Sequence, residues 1–480
     1  MRLTRKLRAF VAAAPILGAP VLVALGAPAV LQAQATKGGD VIRIVLTGDS
    51  IVNRRLSVYN DPPSTGLFKT IQHADAAFTN FETLVHDYAY PAAAVSGGAY
   101  MSSPSWIPGE LKWAGFNLVS TANNHAYDFG EQGLLSTLRA LDEAGLAHAG
   151  SGANLALARA PAYVDTSKGR VALVAVASTF TPGSLAGEQR PDLIGRPGVN
   201  PLRFTTTYTV DQDLFQALLK VSAIIGSGGN GGGESEGAGG SARGNGPRTS
   251  VRIGGLMFQA GDTPGAHTQL NKADLDALVA SVSNAHRQSD WVIVSSHTHE
   301  SGHSQQSPPD FLVEAAHAAI DAGGDIFVAQ GPHILRGIEI YKGKPVFYSL
   351  GNFIFENETM LFQPAESYDE LKLPDSATIA DFFDARSRND TRGFPVNKDM
   401  WESAIAEVTF HPDHTLDKIT LIPISLGYKE PRSQRGRPRL ATPEQAKEVA
   451  DQLTRLSAAY GTTIVWNNGE GVISGNKQSQ

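Results

Sequence analysis

Short apolar runs recur along the chain at 41–46, 76–78, 118–119, 171–177, 291–294, 325–329 and 346–350. Several are nearly continuous in valine, isoleucine and leucine, as in strands that are buried on both faces. Between them lie stretches with helical spacing, at 65–74, 131–145, 210–224, 270–287 and 309–322. Strand and helix patterns that alternate in this way predict an α/β fold. Residues 404–424 alternate instead with a period of two and predict a hairpin, with His411-Pro-Asp-His414 at its turn. An amphipathic helix opened by Thr442-Pro-Glu is predicted over 441–460. Residues 356–403 are polar and predict an irregular segment. Residues 226–246 hold eleven glycines in 21 positions and predict a flexible surface insertion. A phosphate-cradling loop is disfavoured there, because no Gly-Lys-Ser/Thr closes it.

The predicted strands end in coordinating side chains. The first is followed by Gly48-Asp49, the second by Asn80-Phe-Glu82 and the third by Asn123-Asn124-His125. Later strands run into His297-Thr-His299-Glu300 and Gln330-Gly-Pro-His333. Ligands of open α/β sheets bind at the carboxyl ends of strands, so these groups can converge although they are far apart in sequence. Carboxylate, amide oxygen and imidazole suit Mn²⁺, Fe²⁺ or Zn²⁺. A carboxylate between two ions can bridge them, and a nearby histidine can protonate a leaving group. Each residue also has a plainer reading. Asp49 can cap a turn, Glu82 can favour a helix start, and Asn123 or Asn124 can hold an Asx turn. Asp128 is read as the N-cap of the helix near Gly130. His73, His148, His286 and His317 lie within or beside helical patterns and are assigned no chemical role.

The first 35 residues read as a secretory signal. Arg2, Arg5, Lys6 and Arg8 precede an apolar run over 10–31, and Ala33-Gln-Ala35 follows. Cleavage after Ala35 is expected, with an uncleaved membrane anchor as the alternative. The protein is thus expected to be exported, to a periplasmic or extracellular location. There is no cysteine, hence no disulfide and no lipid-anchor thiol. The net charge of −7 includes four signal-peptide cations, so the mature chain carries about −7 − 4 = −11. That balance disfavours a nucleic-acid backbone as a partner.

Taken together, Gly48-Asp49, Asn80-Phe-Glu82, Ala122-Asn-Asn-His125 with Asp128-Phe-Gly130, Gly195-Arg-Pro-Gly-Val-Asn200, Gly331-Pro-His333 and Tyr348-Ser-Leu-Gly-Asn-Phe353 resemble the CapA, or poly-γ-glutamate capsule synthesis, family. The resemblance covers about 40–355, with the 404–480 hairpin and helix packed on that core. It implies a calcineurin-like metallophosphatase fold, a four-layer α/β/β/α sandwich with one or two divalent ions at strand ends. By that resemblance Asp49, Glu82, Asn124, His297 and His333 are metal ligands, with Glu82 bridging, and His125 is the acid beside the leaving group. His299, Glu300, Asn80 and Asp128 are further candidates for the metal or its surroundings. Two positions depart from the superfamily. Ile51 stands where Asp-x-His has its histidine, and Gln330 stands near where Gly-His-x-His has one; His299 or Glu300 could compensate. The resemblance implies a hydrolase with a phosphoester or an anionic polymer as substrate. The alternative is a non-catalytic accessory factor that works with membrane-bound polymer synthase subunits. Arg54, Arg55, Arg196 and Arg203 adjoin the motifs and are candidate cations for such a polymer.

Overall fold

The computed structural model describes residues 41–225 and 248–475. The predicted signal and the glycine-rich insertion lie outside the described residues. Nine strands frame the site: β1 (Ile42–Ile51), β2 (Ala76–Phe81), β3 (Leu118–Ser120), β4 (Gly169–Ala177), β5 (Trp291–His297), β6 (Ile326–Gln330), β7 (Asn352–Phe355), β8 (Glu402–Phe410) and β9 (Leu416–Ser425). Seven helices pack around them: α1 (Pro62–Gln72), α2 (Ile107–Ala114), α3 (Gly130–Ala144), α4 (Lys272–His286), α5 (Asp310–Asp321), α6 (Ile379–Ser387) and α7 (Pro443–Ala458).

The fold is mixed α/β, built on two large sheets. In the ten-stranded sheet β1 is central, parallel to β2 and β7 and antiparallel to β8. β2 continues in parallel to β3, and the hairpin β8–β9 extends the other side. In the six-stranded sheet β4, β5 and β6 are mutually parallel neighbours. Alternation along these strands divides their side chains between three cores. Ile42, Ile44 and Leu46 of β1 share one core with Leu173 and Ala175 of β4 and Ile293 of β5, so the two sheets face each other. Val45 and Val119 face the opposite way, onto Leu67, Phe68 and Ile71 of α1 and Leu111 of α2. Val174 and Val294 likewise meet Leu278 of α4 and Phe311 of α5. This is the distribution that a helix–sheet–sheet–helix stacking produces.

Local signals fix the helix ends. The Asp61 carboxylate accepts the Ser64 N–H ahead of Pro62 and Pro63, and α7 opens with a Thr442/Gln445 capping box. Burying Leu67, Phe68 and Ile71 contributes roughly 1.5–3 kcal/mol each. Two features differ from the sequence expectation. The segment 356–403 is not irregular throughout. It carries the helix Ala365–Glu370 and α6, the latter opened by a Thr378/Asp381 capping box, and it buries Phe382, Phe383 and Trp401. A small four-stranded sheet, Phe204–Val210 with Ser250–Ile253, Leu256–Ala260 and Gly265–Leu270, flanks the glycine-rich region. It holds none of the candidate site residues. Among the described residues no helix is long and apolar enough to cross a membrane.

Candidate metal centre

The carboxyl ends of the parallel strands in both sheets meet at one place. Asp49 on β1 pairs in register with Asn80 on β2 and with Asn352 on β7. Its carboxylate is fully buried and accepts the Asn80 Nδ2–H at 2.8 Å and the Gly331 N–H at 3.0 Å. The second contact crosses from one sheet to the other, as does Asn80 Nδ2 to His297 Nδ1 at 3.1 Å. Within the first sheet Gly48 permits β7 to lie against β1, because a Cβ there would stand 1.7 Å from the Gly351 carbonyl oxygen.

Glu82 lies just past β2 with no exposed surface, and neither carboxylate oxygen has a hydrogen-bond partner. Its Oε1 is 3.7 Å from His297 Nε2, 3.9 Å from His333 Nε2 and 4.0 Å from His125 Nε2. Burial first, then the nearby Asp49 and Asp128, pushes its pKa well above the usual carboxylate range. The Asn80 Oδ1 is also buried and unpartnered. Buried polar atoms are nearly always satisfied, so three orphaned oxygens at one point call for a cation.

The loop after β3 supplies Asn124 and His125. Asn123 holds the turn, donating from Nδ2 to the Phe81 carbonyl at 2.9 Å and accepting the His125 N–H at 3.1 Å. Asn124 points the other way, with Oδ1 2.8 Å from His297 Nε2 and 3.4 Å from His299 Nε2. Asp128 is not the helix cap. The N-cap of α3 is Phe129, and it has no side-chain capping bond. The Asp128 carboxylate instead sits 2.7 Å from His125 Nδ1 and accepts from Met101 N–H at 2.8 Å and Ser96 Oγ at 2.9 Å. With so many donors already on it, Asp128 is an acceptor, and this assigns the Nδ1 proton to His125.

Four imidazoles ring the carboxylates. His297 ends β5; its Nε2 lies 3.0 Å from that of His299. His333 takes a positive φ of 59°, a conformation that costs free energy in a non-glycine residue, and its Nδ1 is held by Asn352 Oδ1 at 2.8 Å. Burial, then mutual repulsion among the imidazoles, lowers the pKa values of His297 and His299 well below the ordinary value, so both rings are neutral with lone pairs to offer. Two triads have their ligand atoms within 4.8 Å of one another: Asp49, Glu82 and His297, and Glu82, His299 and His333. They share Glu82, as a bridging carboxylate would require. Of the two residues offered as replacements for missing histidines, His299 joins the cluster. Glu300 does not; it turns aside to accept from Ser178 Oγ at 2.8 Å and Thr179 Oγ1 at 3.0 Å. Ile51 lines the neighbouring cavity, and Gln330 accepts from Ser295 Oγ at 3.1 Å.

That cavity, of about 350 Å³, opens beside His125, His299 and His333 and also touches Gly98, Arg336 and Arg386. The four arginines that adjoin the motifs are not in its lining. Arg54 pairs with Glu356 at 2.9 Å, Arg55 with Glu110 at 2.9 Å and Arg203 with Asp274 at 2.7 Å, while Arg196 bonds the Leu185 carbonyl at 2.9 Å. Asn352, Arg336 and Arg386 are site neighbours the sequence reading did not assign. Only Asn352 had a signal, its place in Tyr348-Ser-Leu-Gly-Asn-Phe353.

A mixed α/β fold with acidic and imidazole side chains converging at strand ends defines a metallophosphatase-like protein. The model of the family described as bacterial capsule synthesis protein PGA_cap matches residues 43–357, and the chain belongs to that family. Among similar proteins is Sinorhizobium fredii "Uncharacterized protein y4sH", 34% identical over 92% of this chain and 94% of its own length. The capsule biosynthesis protein CapA of Bacillus anthracis is 27% identical over 51% of this chain and 42% of its own length. A probable polyglutamine synthesis accessory protein of Mycobacterium tuberculosis is 28% identical over 50% of this chain and 46% of its own length.

Proposed function

We propose that this chain is an exported, metal-dependent hydrolase that cleaves a phosphoester-type bond in the metabolism of an anionic envelope polymer. The observation that carries this reading is Glu82, fully buried, unpartnered at both oxygens and common to both triads. Asp49, Glu82, Asn124, His297, His299 and His333 would hold one or two divalent ions, Mn, Fe or Zn. Bound there, such ions would polarise a phosphoryl or carbonyl oxygen and lower the pKa of a water. The chain's own part is proton handling and exclusion. Asp128 fixes the His125 tautomer, so a proton is held or released at Nε2, the atom that faces Glu82. The envelope polymer is suggested by the family and by the capsule and polyglutamine roles that the relatives' names state.

The test is turnover of bis(p-nitrophenyl) phosphate by manganese-loaded wild type and His125→Ala, with metal content measured in both. Loss of about 10²–10⁴-fold with metal retained supports His125 as the acid; unchanged turnover removes it from that role. A second reading, a non-catalytic accessory factor working with membrane-bound synthase subunits, is favoured by Ile51 and Gln330, two side chains without an imidazole where the superfamily has one. It predicts that Glu82→Ala and Asn124→Ala leave polymer production in cells intact, and loss of production counts against it.

A further inference from the structure

The cavity beside the metal centre does not stand alone. A second cavity of about 330 Å³ is lined by Asn357, Glu358, Phe383, Arg386, Arg392 and Phe394, among others. Asn357, Arg386 and Phe394 also line the first cavity, so the two are neighbours through that wall. The shared wall belongs to the segment 356–403, folded around α6.

The guanidinium donors along this path are incompletely matched: Arg386 and Arg336 feel Glu358 and Glu300 without forming an ion pair to either. Arg386 is half-buried on α6 and makes no side-chain hydrogen bond or ion pair with any described residue, while burial lowers its pKa. Its Nη2 would be 3.8 Å from a Cβ placed on Gly98, as would His125 Nε2, so Arg386 and the proposed acid flank the same gap. Arg392 is exposed and also lacks a side-chain partner among the described residues. Arg336, on the metal side, is 1% exposed; it donates to the Gln305 carbonyl at 3.0 Å and the Glu300 carbonyl at 2.8 Å, and its Nη1 is buried without a partner. The one carboxylate in the second cavity, Glu358, is already bound to Arg435 at 2.6 Å. A buried guanidinium with an unmatched donor is costly unless an anion completes it.

We propose that the two cavities form one substrate groove, in which Arg386, with Arg336 on the metal side and Arg392 on the far side, binds acidic groups on successive units of an anionic chain. The inference rests on the hydrolase reading only for which bond is cut; the arginines bind with or without metal. It explains why Arg386 and the buried Nη1 of Arg336 are left without a partner here, and it gives the helix-bearing segment 356–403 a role.

Isothermal titration calorimetry on the metal-stripped full chain tests it, with γ-linked triglutamate and tripolyphosphate as oligoanion probes and glutarate and inorganic phosphate as single-unit probes. At least one oligoanion should bind tighter than its single-unit counterpart, and more weakly as salt rises. Whichever oligoanion binds better identifies a carboxylate or a phosphate chain. Arg386→Gln should weaken binding about ten- to a hundredfold, and Arg392→Gln should weaken the oligoanion but not the single-unit probe. Arg190→Gln, which removes an exposed ion pair to Asp192, is the control and should change nothing. Because Arg386 has no native partner, its replacement should leave the thermal midpoint in place. Absence of oligoanion binding, or unchanged binding in a folded Arg386→Gln protein, overturns the proposal. If metal uptake fails but Arg386-dependent binding persists, the hydrolase reading falls and the groove stands.

Discussion

Glu82→Gln separates a metal ligand from a structural carboxylate. In the metal-free protein Glu82 makes no hydrogen bond, and its Oε1 sits within 4.0 Å of Nε2 of His125, His297 and His333, of which burial holds His297 well below its ordinary pKa. Burial and the nearby Asp49 disfavour its charged form, so a side chain of the same shape without charge should be tolerated or preferred. Relief of an unpaired buried charge is worth on the order of 1–3 kcal/mol. With unfolding entropy near 2 cal/mol/K per residue, this corresponds to a rise in Tm of about 1–3 °C for a domain of this size. Metal acts in the opposite sense. At a hundredfold excess over Kd it stabilises the wild type by about 2.7 kcal/mol, again about 3 °C, and this gain should fall by at least two-thirds in Glu82→Gln. The assay is differential scanning fluorimetry of chelator-stripped protein with and without Mn²⁺. A metal-free Glu82→Gln protein that melts several degrees below wild type, with the same metal-induced shift, would refute the reasoning.

Three further outcomes follow from particular contacts. Asp128→Asn should lower kcat about 10–100-fold with little change in KM, because it loses the acceptor that holds the His125 Nδ1 proton; steady-state kinetics on metal-loaded protein would show this. His86 is buried against Phe129, both its ring nitrogens lack partners, and burial lowers its pKa to about 4. A histidine depressed below its unfolded value contributes stability above about pH 6.5 that is lost as pH falls towards 4. Wild type should thus lose about 2 kcal/mol more than His86→Phe between pH 7.5 and pH 5, read as the difference between urea midpoints. Arg435, 4% exposed, joins Glu358 and Asp390, so Arg435→Ala should cost about 3–5 kcal/mol and loosen the segment 356–403 first, detectable by hydrogen exchange at Phe382 and Phe383.

Much of this molecule is legible in its sequence for a simple reason. Parallel strands buried on both faces leave long apolar runs, and the first polar residues after each run are the ones at the sheet edge. Asp49, Glu82, Asn124 and His297 announce themselves in that way. The helices predicted at 131–145, 270–287 and 309–322 are α3, α4 and α5. What stayed hidden depends on distance through space. Asp128 reads as a cap because it stands two residues before a helix, yet the fold brings Met101 and Ser96 to it and leaves the helix uncapped. Arg386 and Arg336 have no motif; only packing brings them to the cavity. α6 itself was findable, since Thr378 and Asp381 have capping-box spacing, but its run of nine residues is short and its apolar face narrow. The small sheet at 204–270 hid behind the threonine-rich Phe204–Val210, whose half-exposed strand lacks a clean apolar run.

The central claim is that the converged carboxylates and imidazoles hold metal through Glu82. It is tested most directly by counting metal per chain, with elemental mass spectrometry on full-length wild type and Glu82→Ala after reconstitution with Mn, Fe or Zn and removal of excess. One to two equivalents in wild type, falling below half of that in Glu82→Ala, is the predicted result. Metal-free wild type after reconstitution, or equal content in the two proteins, would contradict the account.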